Sequence, residues 1–216
     1  MKKIMFNDKY GLTQAVLDGR KTMTRRMIRH RDSYEGREFG YYSYTPGTMA
    51  MSPNNNGQHF FVELLDADEF PYDTERYASS EFAVAEEVAI AQSYESMANG
   101  GYLDRMLDGP LSMKKEYAGA GYKNKMFVKP ELMPHSIQIT SICVEHLQDI
   151  SDEDCLREGI LKSEAGDIYG YVIDGLRVYS YFSPRDAFAA LIDKVSGKGT
   201  WEDNPLVWVY EFKLID

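Results

Sequence analysis

"SIQITSICVEHLQDISDEDCLREGI", residues Ser136–Ile160, changes its period halfway along. Up to Val144 the pattern has period two. Ile137, Ile139, Ser141 and Cys143 face one way, and Gln138, Thr140, Ile142 and Val144 face the other. Both faces are mixed, which suits a strand of a barrel or sandwich. From Ser151 onward the signals are helical. Ser151 stands where an N-cap is needed, and Asp154, three residues on, completes a capping-box pattern with Asp in place of Glu. Asp152, Glu153 and Asp154 place negative charge at the positive end of the helix dipole. Gly159 marks the stop.

The flanking segments extend this alternation of strands and helices. "SPRDAFAALIDKVSG" (183–197) predicts a second helix, with Pro184 at its first position, Phe188, Leu191 and Val195 on one stripe, and Gly197 at its end. "NPLVWVYEFKLI" (204–215) is a mostly apolar final strand, expected to lie inside a sheet. Towards the N-terminus, "EEVAIAQSYESM" (86–97) begins as a strand, with Val88 and Ile90 alternating with Glu87 and Ala89. "QHFFVELL" (58–65) is also β-like. "DKYGLTQAVLDGRK" (8–21) opens the chain with a helix: Leu12, Ala15 and Val16 recur at helical spacing, and Gly19 suits its left-handed end. Residues 32–58, rich in Tyr, Gly, Ser, Pro and Asn, and the Gly- and Lys-rich residues 99–125 read as long loops. Strands with few helices in this order predict an α+β class, a small β-barrel with peripheral helices.

The bulk numbers fit that size of fold. The chain has 216 residues, 44% of them hydrophobic and 27% charged, and suits a single domain spanning 1–216 that buries its own core. Cys143 and Cys155 are too few for a disulfide framework and are expected to be free thiols in a reducing cytoplasm. No apolar run approaches the ~18–20 residues that span a bilayer, so no membrane association is expected. "MKKIMFNDKYG" loses its apolar run at Asn7 and Asp8, which argues against a secretory leader.

Charge singles out one segment. The chain carries a formal charge of -10, yet "GRKTMTRRMIRHR" (19–31) holds Arg20, Lys21, Arg25, Arg26, Arg29 and Arg31 and no acidic residue. The overall acidity repels long nucleic acid, so indiscriminate binding to it is not expected. Arg20 and Lys21 also sit where the negative end of the preceding helix favours cations, and on composition the whole cluster is compatible with a solvated face. The chemical alternative centres on Lys21 and Thr24. A Thr hydroxyl is a weak nucleophile until a neighbour takes its proton. A Lys partly desolvated among other cations can have the lowered pKa that this requires. On a regular strand these two would point oppositely, so their cooperation needs a turn or bulge between them.

Other chemistries lack their motifs. His30, His59, His135 and His146 are scattered with no metal-ligand spacing, so no metal site is expected. "GKGTWED" (197–203) lacks the run that makes a phosphate loop, no Gly-x-Ser-x-Gly occurs, and no cofactor is expected.

Three stretches in order carry a family resemblance. "VLDGRKTMTRRMI" (16–28) resembles the opening motif of ASCH-domain proteins, which have a small barrel related to the PUA fold. "ITSICVEHLQDISDEDCLREGI" (139–160) resembles their second block, and "TWEDNPLVWVYEFKLI" (200–215) their closing strand. "EEVAIAQSY" (86–94) fits a strand between. The resemblance covers about half the chain and leaves two long insertions, about 32–80 and 98–130. It implies a PUA-like barrel. Some members of the family are amidohydrolases that remove the acetyl group from acetylcytidine, using a Lys and a Thr of the first motif and a Glu of the second.

Carried over, those residues are Lys21 as activator, Thr24 as nucleophile and Glu158 as acid/base or orienter. Arg26 matches the motif's Arg and is the candidate for holding the oxyanion or a substrate carbonyl. Arg25 is a further candidate for substrate binding. Among tyrosines able to stack a base, Tyr41, Tyr42, Tyr44, Tyr94, Tyr117 and Tyr122, the substrate-binding candidate is Tyr94. The expected ligand is a nucleoside or RNA fragment. A non-catalytic RNA-binding module and a ribonuclease remain the alternatives, since a family name does not fix an activity. The oligomeric state is left open.

Overall fold

The computed structural model describes residues 1–28, 52–53, 58–64, 75–100 and 119–215. Its main element is a five-stranded sheet of β1 (Lys2–Ile4), β2 (Met23–Met27), β6 (Glu87–Ile90), β7 (Ser136–His146) and β11 (Leu206–Ile215), in the order β1-β6-β7-β11-β2. β1 and β6 run parallel, and the other neighbours are antiparallel. The described strands run from the β1 edge to the β2 edge without closing into a ring.

The final segment is an interior strand, as its apolar run requires. β11 lies between β7 and β2, and Val207, Trp208, Val209 and Tyr210 are buried on both its faces. Each apolar side chain of this size stabilises the fold by roughly 1.5–3 kcal/mol when fully buried. β7 departs from the strict alternation expected of it. Its register against β11 slips between Ile139, opposite Phe212, and Ser141, opposite Glu211. The extra residue, Thr140, exchanges the two faces. Ile137 and Ile139 are buried before it, whereas after it Ile142 is buried and Cys143 exposed. In β6, Val88, Ala89 and Ile90 are all buried. The expected alternation fails there because β6 is covered on both faces, as strands in parallel pairs usually are.

Two smaller antiparallel sheets flank this one. β3 (Ser52–Pro53), β4 (Gln58–Leu64) and β5 (Glu75–Ala83) form the first, and β4 falls on the expected β-like run. Phe82, near the end of β5, meets Tyr210 of β11 edge-on with ring centroids 5.3 Å apart, fastening this sheet to the main one. The second sheet is β8 (Leu161–Lys162), β9 (Tyr169–Ile173) and β10 (Leu176–Tyr181), in a stretch where no strand was expected. Its signal was present in the sequence. Asp174 and Gly175 both have positive φ and make the two-residue turn that Asp-Gly favours in hairpins.

The α-helices among the described residues are α1 (Leu12–Leu17), α2 (Tyr94–Asn99), α3 (Asp152–Arg157), α4 (Pro184–Ser196) and α5 (Thr200–Asp203). Ser151 caps α3, its Oγ accepting from Asp154 N at 3.1 Å. The other half of the expected box is absent because the Asp154 carboxylate turns to Arg25 and Arg157 instead. α4 starts with Pro184, is capped by Ser183, and buries Ala187, Phe188 and Leu191. Val195, at the far end of the expected stripe, is exposed.

The class is therefore α+β. Most of both expected loops, together with Arg29, Arg31, Tyr41, Tyr42, Tyr44 and Tyr117, lies outside the described residues. Among the described residues, no helix is long and apolar enough to cross a membrane.

Candidate active site

The basic segment begins where α1 ends. Gly19, at φ +71°, turns the chain in the left-handed region. Arg20 N and Lys21 N then both donate to Ala15 O, at 2.9 and 2.8 Å. Thr22 is held on both sides: its N–H donates to Arg157 O at 3.0 Å and its carbonyl accepts from Phe212 N at 2.9 Å. Residues 19–22 are thus an ordered turn, and the strand starts only at Met23. This removes the geometric objection raised by strand alternation. Lys21 precedes β2, Thr24 lies within it, and both line one cleft of about 1240 Å³.

Glu158 reaches the same cleft from the end of α3. It is the helix's C-cap, its N–H donating to Asp154 O at 2.8 Å. Gly159 follows at φ +106° and lets the chain leave the helix against α1. A Cβ there would stand 3.2 Å from Leu12 Cδ2 and 3.8 Å from the Lys21 stem, so this close approach also favours glycine.

Two cations hold the Glu158 carboxylate. Lys21 Nζ donates to Oε2 at 2.5 Å and to the Glu158 carbonyl at 2.9 Å. Arg25 Nη1 donates to Oε1 at 3.2 Å. Arg25 also grips Glu145 of β7, at 2.8 Å through Nε and 2.6 Å through Nη2, and lies 3.4 Å from Asp154 of α3. The Lys21 side chain is 2% exposed and the Glu158 side chain 6%, so the pair is nearly dry. Such a pair is tolerated only when its remaining polar atoms are also bonded, as they are here.

The electrostatics follow from this packing. Burial pushes the Lys21 amine below its ordinary value. Glu158 opposes that shift, and Arg26 and Arg25 add to it. Burial likewise disfavours the Arg25 charge, but Glu158 and Glu145 outweigh it and hold the guanidinium's pKa above its ordinary value. The Phe6 ring lies 5.8 Å from Lys21 Nζ and 5.9 Å from the Arg26 guanidinium carbon, within cation–π range of both. Arg26 Nη2 donates to Met5 O at 2.7 Å. Tyr210, paired with Thr24 across the sheet, lines the cleft as well. Burial raises its hydroxyl to about 12, so it stays protonated.

Of the residues expected from sequence, Lys21, Thr24, Glu158, Arg25 and Arg26 line this one cleft. Lys21 Nζ donates to Glu158 rather than to Thr24. Arg25, expected to meet substrate, is enclosed by carboxylates. Tyr94 is not among the described cleft residues. It begins α2, packs beside Ala89, Ala91, Met97, Val128 and Met133, and lies so close to Gly121 that a Cβ there would be 2.7 Å from its ring. Sequence reasoning missed Phe6, Glu145 and Tyr210. A register for β7, β11 and β2 would have pointed to the last two, whereas nothing in the local pattern marks Phe6. Among the described residues, no group of three His, Cys, Asp or Glu side chains is placed to hold a metal.

A buried Lys–Glu pair, a Thr hydroxyl and an Arg lining one roomy cleft are groups able to activate a hydroxyl and stabilise developing negative charge. No family model, no curated protein and no solved structure matches the chain.

Proposed function

We propose that the protein is an ASCH-like hydrolase that recognises a nucleobase and cleaves an acyl group from an exocyclic amine, with acetylcytidine as the reference substrate. In this reading the open sheet and the β3–β5 sheet are a variant of the PUA-like barrel, enlarged by the two insertions. The observation that carries the proposal is that Glu158, far from Lys21 and Thr24 in sequence, lines one cleft with them, with Lys21 buried on Glu158. Cytoplasmic placement belongs to the same proposal and is supported by the free thiols of Cys143 and Cys155.

The chemistry runs in two halves. Thr24 Oγ attacks the amide carbon as its proton passes to Lys21 in its unprotonated form, which burial makes easier to reach. Arg26 offsets the charge on the carbonyl oxygen. The intermediate collapses, the C–N bond breaks, and the leaving amine takes the proton from Lys21. Water then attacks the Thr24 ester with Lys21 again as base, releasing acetate and free Thr24. Glu158 keeps the Lys21 amine in place throughout. The RNA-binding alternative draws less support, because Arg25 is already engaged by three carboxylates of the chain itself.

Incubation of the purified protein with acetylcytidine, followed by chromatography for cytidine, tests the proposal. Turnover that is lost in Thr24→Ala supports it. No turnover at high enzyme concentration, or full activity in Thr24→Ala, overturns it.

A further inference from the structure

Arg25 has a position unlike the other described cations of its segment. Its side chain is 1% exposed, and its donors go to carboxylates from two elements, Glu145 of β7 and both Asp154 and Glu158 of α3. Nη1 also lies 3.0 Å from Met23 Sδ. Lys21 takes one oxygen of Glu158 and Arg25 takes the other. A planar carboxylate held at both oxygens by different side chains has little freedom to tilt or swing. Glu145 Oε1 in turn accepts from Arg25 Nε and lies 2.6 Å from Nη2, which restrains the guanidinium.

We infer that Arg25 is a positioning residue: anchored by Glu145 and Asp154, it holds Glu158 Oε1 so that Oε2 is presented to Lys21. The inference rests on the reading of Lys21 as the working amine of the cleft. The charged and aromatic groups that face Lys21 are Glu158 from α3, Arg25 and Arg26 from β2, and the Phe6 ring ahead of α1. Removing Arg25 deletes a neighbouring cation and takes from Glu158 one of its two cationic contacts among the described residues, those with Arg25 and Lys21. Both changes hold the proton more tightly on Lys21. A charge effect alone would leave that equilibrium unmoved in Arg25→Lys, whereas a positioning role moves it there as well.

The test is a substrate-free NMR titration of the full chain carrying ¹³C-labelled lysine, with the Lys21 signal identified by its loss in Lys21→Met. In Arg25→Met the Lys21 midpoint is expected to rise by about one pH unit, a tenfold change in proton affinity. Arg25→Lys keeps the charge but not the forked geometry, and is expected to give a smaller rise. An unchanged midpoint in folded Arg25→Met overturns the inference. If that variant does not fold, Arg25→Lys decides, because it keeps a charge at the position and removes the fork that holds Glu158. An upward shift there supports the inference, and no shift overturns it. Turnover of acetylcytidine is measured separately. A shifted midpoint without turnover upholds the role of Arg25 while sinking the hydrolase reading, and turnover without a shift does the reverse.

Discussion

Lys21 Nζ and Glu158 Oε2 lie 2.5 Å apart although 137 residues separate them in sequence. The contact ties the start of β2 to the end of α3, and it does so in a nearly dry environment. Breaking a buried pair by removing one partner typically costs about 3–5 kcal/mol, because the other charge is stranded. The two partners are not equivalent here. Glu158 retains Arg25 when Lys21 is lost, whereas among the described residues Lys21 has no second carboxylate bonded to it. Lys21→Met is therefore expected to cost less than Glu158→Gln, with Lys21→Met at or below the lower end of that range. The double variant is expected to be more stable than Glu158→Gln alone. Urea unfolding of the three variants measures the order, and equal losses for the two single changes would contradict the asymmetry.

The same burial makes stability depend on pH in a defined direction. The native Lys21 pKa lies below the ordinary 10.5, with burial as its largest cause. Between the two values the native amine is neutral while the unfolded one is charged, so the unfolded state binds more protons. Stability then rises with pH through that window. The difference in unfolding free energy between the wild type and Lys21→Met is expected to grow in the wild type's favour as pH rises towards 10.5, and to level off above it. Taking the difference cancels groups common to both proteins, such as Cys155, whose buried thiol is raised to about 12. Urea titrations from neutral to alkaline pH provide the measurement. A difference that is flat, or falls, counts against a depressed Lys21.

Local patterning made much of the frame legible. Ser151, Gly159, Pro184 and Gly197 bracket α3 and α4 close to where they lie, and the apolar run of β11 marks an interior strand. Alternation failed where a tertiary feature overrode it. The bulge at Thr140 exchanges the faces of β7, and cover on both sides erases the period in β6. The site was legible only in part. Charge drew attention to Lys21, Thr24 and Arg26, and the family resemblance added Glu158. The partners of Arg25 were not visible, because Glu145 and Asp154 approach it through strand register and helix docking. Tyr94 shows the converse: an aromatic residue singled out for its ability to stack a base packs elsewhere in space.

Gly159 links the helix end to the site. Its φ of +106° is one that side-chain-bearing residues rarely adopt, and an added Cβ meets Leu12 at 3.2 Å. Gly159→Ala is expected to destabilise by about 1–3 kcal/mol through backbone strain alone. Because Glu158 immediately precedes the strained peptide, the variant is also expected to lose activity at temperatures where it remains folded. Thermal unfolding together with turnover at low temperature separates the two effects. An unchanged melting temperature would show that the chain relaxes around the methyl.

Thr24 and Tyr94 offer the sharpest contrast between cleft and core. Thr24 is buried beside Tyr210 on the cleft wall, whereas Tyr94 belongs to the cluster around Met97 and Val128. If Thr24 supplies the attacking oxygen, Thr24→Ala removes it, and kcat is expected to fall on the order of 10³-fold or more. Thr24→Ser keeps an oxygen at the same position and is expected to retain most of the rate, with a modest stability loss from the missing methyl, about 1 kcal/mol. Tyr94→Phe preserves the ring that packs over Gly121 and is expected to leave both kcat and KM unchanged. Steady-state kinetics on the three variants checks the set. Inactive Thr24→Ser with active Thr24→Ala would exclude Thr24 as nucleophile, and a raised KM in Tyr94→Phe would place that ring within reach of the ligand after all.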